Sequence, residues 1–310
     1  EQKAMLDAVA QFGVLLILLL TGMETDLGLV KRSSRASIAA SVTGVIIPFG
    51  LGFALGEFLP DAMIPDPSKR LITSLFLGTA LSIASVKIVA TVVREMNFMR
   101  RTVGQVIIGS AIVDDTIGWI IIAVIFGLAL HGQVDPFSIA QSVIGTLAFM
   151  AFSLTIGRRI VSFIIRWVND TFASELAVIT AILLIMGAMA LTTSLIGVHT
   201  VLGAFVAGIL IGESPILTKH IDEQLRGLIV AFFMPVFFGS AGLGADLTVL
   251  KDPHLLMLTG GLILIATVGK FGGAFLVAEL GGLSRREALA LATGMNARGS
   301  TEVIVATIGL

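Results

Sequence analysis

The sequence contains no cysteine and no tyrosine, and it has only four histidines among its 310 residues. The absence of cysteine excludes disulfides, thiol catalysis and cysteine-ligated metal sites. The four histidines are scattered and show no metal-ligand spacing such as H-E-x-x-H. We therefore expect no cofactor and no resident metal centre.

Charged residues are also scarce. They make up 13% of the chain, against about 25% in a soluble protein, while 56% of the residues are hydrophobic and the mean hydropathy is +1.01. So few polar residues cannot cover many apolar helices in water, so we predict an all-α polytopic membrane protein. The net charge of −1 argues against nucleic acid as a partner.

Long apolar runs predict about ten transmembrane helices, since about 20 residues cross the hydrocarbon core. They lie near residues 7–25, 36–58, 71–93, 103–130, 137–165, 175–195, 198–212, 228–245, 254–278 and 286–310. Residues 213–227 have leucine and isoleucine on one helical face and charges elsewhere, which predicts an amphipathic helix lying at the membrane interface. Alternate loops hold thirteen and three Lys or Arg residues, and this bias places the thirteen-residue set in the cytoplasm.

Two spans have glycine beside small polar residues at mid-depth, near 71–93 and 286–310. Such composition is typical of broken transmembrane helices, whose unwound backbone lines a cavity. Ordinary packing of small residues between helices is the alternative. The string Ile88-Val-Ala-Thr91 in the first span is repeated as Ile304-Val-Ala-Thr307 in the second, and the two spans run in opposite directions. This echo favours an inverted-topology repeat.

Two adjacent aspartates, Asp114 and Asp115, lie in the middle of the fourth span. Each carboxylate costs on the order of 3 kcal/mol at the bilayer centre. The fifteen Val, Ile, Leu and Phe residues between Val103 and Leu130 each contribute about 0.3–0.6 kcal/mol and roughly offset that cost. Insertion is therefore possible, but folding does not require the two acids, and we interpret them as functional.

The charges within the spans balance. Three acids and three bases are found there: Asp114, Asp115, Glu302, Lys87, Lys270 and Arg298. Burial favours paired ions. Adjacent helix positions point about 100° apart, so one aspartate is expected to face a water-filled cavity while the other meets a base such as Lys270. This arrangement suits exchange of protons for a cation, and a purely structural ion-pair network is the alternative. For Lys87 the alternatives are snorkelling to the cytoplasmic surface or pairing with Glu302.

Two strings in the sequence resemble protease motifs, and each lacks a residue that the protease chemistry needs. Gly242-Leu-Gly-Ala-Asp246 resembles the Gly-x-Gly-Asp of intramembrane aspartyl proteases, but it has an extra residue and the chain lacks the partner tyrosine. Gly239-Ser-Ala-Gly242 resembles a rhomboid serine, but no histidine lies mid-span to activate it. We therefore predict that the protein is not an enzyme.

Several strings together resemble monovalent cation:proton antiporters, the group of Kef-type potassium efflux systems and Nap-type sodium/proton exchangers. The resemblance covers nearly the whole chain and is carried by Leu18-Leu-Leu-Thr-Gly-Met-Glu24, Ala80-Leu-Ser-Ile-Ala-Ser85, Ala111-Ile-Val-Asp-Asp115, Pro235-Val-Phe-Phe-Gly-Ser-Ala-Gly242, Lys270 and Met295-Asn-Ala-Arg-Gly-Ser300.

The resemblance implies a fold of inverted repeats whose two broken helices cross at mid-membrane. It implies a transport core at about 36–130 and 254–310, and a part at about 1–35 and 131–253 that forms a homodimer. The implied activity is antiport of Na⁺ or K⁺ against H⁺ by an elevator-like movement in a lipid bilayer, with a bacterial inner membrane as the expected location. The alternative is a Kef-style gated K⁺ efflux system regulated by a cytosolic domain. Since the sequence starts at Glu1 without methionine and stops within an apolar run, we expect a membrane-domain fragment with one more core span after Leu310.

The resemblance also implies roles for particular residues. Asp115 matches the carboxylate that binds the cation or the proton, and Asp114 matches the acid that pairs with Lys270. The combination of two acids with this lysine is similar to that of the electrogenic exchangers. The remaining matches support the broken helices: Ser82, Ser85, Lys87, Asn296, Arg298 and Glu302. Lys87 departs from the family pattern, because many relatives carry a small residue there.

Overall fold

The computed structural model describes residues 2–25, 28, 35–64, 66–98, 102–131, 136–214 and 216–309. These residues form fourteen α-helices, which in chain order are α1 Gln2–Met23, α2 Arg35–Phe58, α3 Arg70–Ser82, α4 Val86–Glu95, α5 Thr102–His131, α6 Pro136–Phe152, α7 Arg158–Phe172, α8 Glu175–Leu195, α9 Thr200–Gly212, α10 Lys219–Leu228, α11 Met234–Gly244, α12 Pro253–Leu280, α13 Arg285–Met295 and α14 Ser300–Gly309. Single π-helical turns join α6 to α7 and α10 to α11, so each pair is continuous.

The helices are those of an integral, multi-pass membrane protein. Among the described residues, eight helical stretches are long and apolar enough to cross a bilayer. The prediction of about ten spans is not matched in number. The predicted seventh span is α9, whose 13 residues reach only about 20 Å along the helix axis. The predicted tenth span is divided between the short helices α13 and α14.

The predicted amphipathic segment is helical and runs into the next helix without a break. Its helix begins at Lys219, where the Thr218 hydroxyl accepts a hydrogen bond from the backbone N–H of Ile221 at 3.2 Å. It then continues through the π-turn Ile229–Phe233 into α11, so Lys219–Gly244 is one continuous helical stretch of 26 residues that contains an apolar segment long enough to cross a bilayer. A helix with Ile221 and Leu225 buried on one face is thus present in the predicted segment, but it is continuous with the following span, because a fall in hydropathy need not interrupt the backbone hydrogen bonds.

The chain divides into two compact units. One unit comprises Glu1–Asp26 and Phe126–Ala245, and the other comprises Leu27–Ile125 and Asp246–Leu310. In the first unit, α9 is buried from Val201 to Ile211 and packs against α1 and α8. A helix apolar on every side belongs in a core, and α9 occupies that place here.

The second unit is built around two interrupted helices. In it, α2 packs against α3 and α12, and α12 packs against α13. Helix α3 ends at Ser82 and α4 begins at Val86, which leaves residues 83–85, here called the first break. Helix α13 ends at Met295 and α14 begins at Ser300, which leaves residues 296–299, the second break. The prediction of broken helices in these two spans is confirmed.

Candidate ion-binding site

The two breaks contact each other in the second unit. The backbone N–H of Ser85 donates a hydrogen bond to the carbonyl of Ala297 at 2.8 Å. A Cβ atom added at Gly299 would lie 2.5 Å from the Ser85 hydroxyl, so only glycine allows this approach. Unwound backbone in one break thus satisfies polar groups of the other, as a segment within a bilayer requires.

Two cations cap the carboxyl end of α3. The last carbonyls of a helix lack partners within the helix and carry its negative dipole end. Arg298 donates from Nη2 to the carbonyl of Leu81 at 3.0 Å, and Lys270 donates from Nζ to the carbonyl of Ser82. The intramembrane bases therefore lie where both the carbonyl oxygens and the helix dipole favour positive charge.

Asp114 is compensated on both of its oxygens. Its Oδ1 pairs with Lys270 Nζ at 2.6 Å, and the two side chains are 0% and 1% exposed. Its Oδ2 accepts a hydrogen bond from the backbone N–H of Ala84 at 2.8 Å. Because Ala84 lies just before the amino end of α4, the carboxylate also faces the positive end of that helix dipole. Asp114 is therefore a fully coordinated member of a buried ion pair.

Asp115 is in a different position, although it is the next residue. It is 2% exposed, and neither of its carboxylate oxygens accepts a hydrogen bond of regular geometry. The charges of Asp114, Glu302 and Lys87 act on it. In this conformation the Asp115 carboxylate is closed off from solvent. Its oxygens are buried acceptors that remain available to a ligand.

Glu302 and Asn296 lie at the second break and, like Asp115, have buried acceptor atoms. Glu302 Oε2 accepts the backbone N–H of Gly299 at 2.6 Å, at the amino end of α14. Its Oε1 and the Oδ1 of Asn296 are buried and have no hydrogen-bond partner among the described residues. Arg298 and Lys270 act electrostatically on Glu302. Carboxylate and amide oxygens are ligands that hard cations accept.

The remaining predicted support residues are in the first break or beside it. Ser82 contributes its carbonyl to Lys270, while its hydroxyl donates to the carbonyl of Thr79 at 2.9 Å. Ser85 contributes its backbone N–H. Lys87 lies in the first turn of α4 and is partly exposed. The two serines thus act on the crossing through their backbone groups, which their hydroxyl-rich sequence did not indicate.

One residue of this site was missed by the sequence reasoning. Trp119 lies one helical turn after Asp115 on α5, is 1% exposed, and its side chain interacts with the Asp115 carboxyl. The available signal was its spacing of four residues from Asp115, which places both side chains on one helical face. Tryptophan in membrane proteins is enriched at the interfaces, so one near the middle of a 30-residue span is unusual.

The two aspartates can therefore do different chemistry. Asp114 has its acceptor capacity taken up by an ammonium group and a backbone N–H. Asp115 has acceptor capacity to spare, and a carboxylate can bind either a proton or a hard cation through the same oxygens. The geometry supports one exchangeable carboxylate beside one carboxylate that is held in an ion pair.

Comparison with known proteins gives a consistent result. The transmembrane sodium/hydrogen exchanger family matches residues 1–310. The chain is similar to the high-affinity Na⁺/H⁺ antiporter NhaS3 of Synechocystis sp., with 31% identity covering 99% of this chain and 65% of that protein. It is also similar to the Na⁺/H⁺ antiporter NhaS4 of the same organism, with 25% identity covering 97% of this chain and 73% of that protein. The K⁺/H⁺ antiporter 1 of Saccharomyces cerevisiae is 26% identical, covering 98% of this chain but 36% of that protein. The chain thus spans from about a third to about three quarters of the length of these relatives.

Proposed function

Since the chain belongs to the sodium/hydrogen exchanger family, a family of transporters rather than enzymes, we propose that it is the membrane domain of a monovalent cation:proton antiporter. Asp115 carries the cation or the proton, and the Asp114–Lys270 pair is the proton-linked switch beside it. The observation that supports this most is the contrast between neighbours: Asp114 is fully coordinated, while Asp115 has no regular hydrogen bond.

Competition at one carboxylate gives coupled exchange. A deprotonated Asp115 binds an alkali cation through oxygen, and protonation removes the charge that holds the cation. Either ligand neutralises a buried negative charge, which is costly to leave unpaired in the membrane. The loaded forms are therefore favoured over the empty carboxylate, and loading with one ligand excludes the other.

The division into two units supports an elevator-like movement. All six intramembrane charged residues belong to the unit formed by Leu27–Ile125 and Asp246–Leu310. We assign transport to this unit, as the resemblance implied for about 36–130 and 254–310, and we assign homodimer formation to the other unit. Each broken helix belongs to the transport unit.

The transported ion is a monovalent alkali cation. Among the relatives, NhaS3 and NhaS4 are named Na⁺/H⁺ antiporters and the yeast protein is named a K⁺/H⁺ antiporter. We propose that this ion is Na⁺ or K⁺. We also propose that Lys87 makes the ion preference of this site differ from that of relatives with a small side chain at this position, because its charge acts on Asp115.

The test uses the full-length protein in proteoliposomes that enclose a pH-sensitive dye. Addition of Na⁺, K⁺ or Li⁺ outside should release protons from the lumen in the wild type. Asp115→Asn should abolish this exchange because the amide cannot carry a negative charge. Asp170→Asn, at an exposed carboxylate on α7, is the matched control and should keep the wild-type rate.

Two results would count against the proposal. Cation-driven proton release at the wild-type rate in Asp115→Asn would remove the assigned carrier. A wild-type ion flux that is not coupled to protons and does not saturate would indicate the gated efflux system instead.

A further inference from the structure

Trp119 is an aromatic side chain that interacts with the exchangeable carboxylate. It follows Asp115 by four residues on α5, so the two side chains lie on the same helical face one turn apart. Its side chain is 1% exposed, and its indole acts on the Asp115 carboxyl as a donor, although the two groups do not form a hydrogen bond of regular geometry in this conformation. A buried indole N–H needs an acceptor, because leaving it without one in an apolar setting is costly.

The helix that carries both residues is fixed against the first break. Gly118 directly precedes Trp119, and a Cβ atom added there would lie 2.7 Å from Ile83. On the same helix, Asp114 is held by the Ala84 N–H and by Lys270. These contacts on either side of Asp115 set the rotation of α5 about its axis. The indole is therefore held in place relative to the carboxyl.

The chemistry of the indole limits what it can do. Its N–H is a donor only and cannot coordinate a cation. It can occupy one acceptor position of the carboxylate and leave the others open. The charged groups that act on Asp115 from the surrounding elements are Asp114 on α5, Lys87 on α4 and Glu302 on α14, and none of them is a neutral donor.

We propose that Trp119 is a positioning residue for ion exchange: its indole N–H orients the Asp115 carboxylate so that the open oxygen positions face the incoming cation. This inference rests on the proposed function and deepens it. A preoriented ligand binds more tightly because less freedom is lost on binding. Trp119 therefore sets the apparent affinity for the cation and leaves the maximal rate unaffected.

The kinetic test compares Trp119→Phe, which removes the N–H, with Trp119→His, which keeps a ring N–H, at pH 8 in proteoliposomes. Trp119→Phe should raise the apparent KM for the cation by roughly three- to tenfold, the worth of one hydrogen bond, with a maximal rate within about twofold of wild type. Trp119→His should recover part of the KM. An unchanged KM in Trp119→Phe, or a lower maximal rate with an unchanged KM, would overturn the assignment.

The chain has only two tryptophans, which provides a second readout that does not depend on transport. In Trp167→Phe, which alters an exposed residue of α7, the emission of Trp119 is obtained by subtracting the emission of the double variant Trp119→Phe/Trp167→Phe. Cation binding at Asp115 should change this emission with a midpoint near the transport KM, and adding Asp115→Asn should abolish the change. If the emission of Trp119 does not change on cation addition while the protein still transports, the interaction between Trp119 and Asp115 is refuted. If the wild type itself does not exchange cations for protons, the proposed function has failed instead.

Discussion

Removing the ammonium group of Lys270 should harm stability more than removing the whole Asp114–Lys270 pair. In Lys270→Met the carboxylate of Asp114 stays buried at 0% exposure without its counter-ion. Loss of one partner of a buried ion pair costs about 3–5 kcal/mol. In the double variant Asp114→Asn/Lys270→Met, no net charge remains buried. The asparagine oxygen still accepts the Ala84 N–H that Asp114 accepts now.

The size of the difference follows from the contacts that remain unsatisfied. The double variant leaves the Ser82 carbonyl without the lysine donor, at a cost of about 1–3 kcal/mol. The single Lys270→Met variant should thus be less stable than the double variant by about 2 kcal/mol. At roughly 2 °C per kcal/mol for a protein of this size, the single variant melts about 6–10 °C below wild type, and adding Asp114→Asn restores about 4 °C.

The assay is thermal unfolding of the detergent-solubilised full-length protein at neutral pH. Lys69→Met is the matched control, because Lys69 forms an exposed pair with Asp66 at 3.8 Å. Surface pairs are worth about 0–1 kcal/mol, so this control should melt within about 2 °C of wild type. A double variant that melts below Lys270→Met would show that the unpaired carboxylate is not the main cost, and the reasoning would be refuted.

Two further predictions concern single positions. Gly299→Ala should abolish cation:proton exchange in proteoliposomes, because the new Cβ atom would lie 2.5 Å from the Ser85 hydroxyl. The control Gly260→Ala, whose new Cβ atom meets nothing within 4 Å, should leave the rate unchanged. Normal exchange by Gly299→Ala would mean that the two breaks need not touch. The hydroxyl and backbone N–H of Thr248 lower the pKa of Asp246 in the loop before α12, so this turn contributes stability above the unfolded pKa and loses it as pH falls through the lower folded value. Between pH 5 and 2 the melting temperature of wild type should therefore fall more than that of Asp246→Asn, and equal falls would contradict the assignment.

The spans and the breaks could be predicted because they depend on patterns that a sequence displays. Runs of about 20 apolar residues define the spans, and glycine with small hydroxyl residues near Gly78 and Gly294 marked the two helices that are interrupted. The candidate charges could be found as well, because acids and bases are rare in bilayer spans and tend to balance. The same balance of charge pointed to Lys270 as the partner of one of the two aspartates.

The side chains that cap the carboxyl end of α3, before the first break, could not be predicted. Lys270 and Arg298 donate to the carbonyls of Ser82 and Leu81, and every residue has a carbonyl, so no sequence pattern distinguishes these two. The same holds for the N–H groups of Ala84 and Ser85. Which backbone groups become free depends on where the helix stops, and sequence places such ends only within a few residues.

The continuity of Lys219–Gly244 was missed for a different reason. Charged residues in its first turns lowered the hydropathy and suggested a boundary at residue 227. Only Gly227 lies at that boundary, and a single glycine costs about 1 kcal/mol in a helix without ending it. A π-turn at Ile229–Phe233 instead joins the polar first part of the helix to the apolar part that follows. Composition alone does not reveal such a turn.

The hydrogen bond from Ser85 to Ala297 has a mechanical consequence. Sliding one interrupted helix past the other would strip an N–H and a carbonyl of their partners inside hydrocarbon, at several kcal/mol for each group. Gly299 seated against the Ser85 side chain adds a steric stop. The two interrupted helices are thus fixed to each other at their midpoints. Any displacement that carries the aspartates across the bilayer must therefore move both helices together as one rigid body.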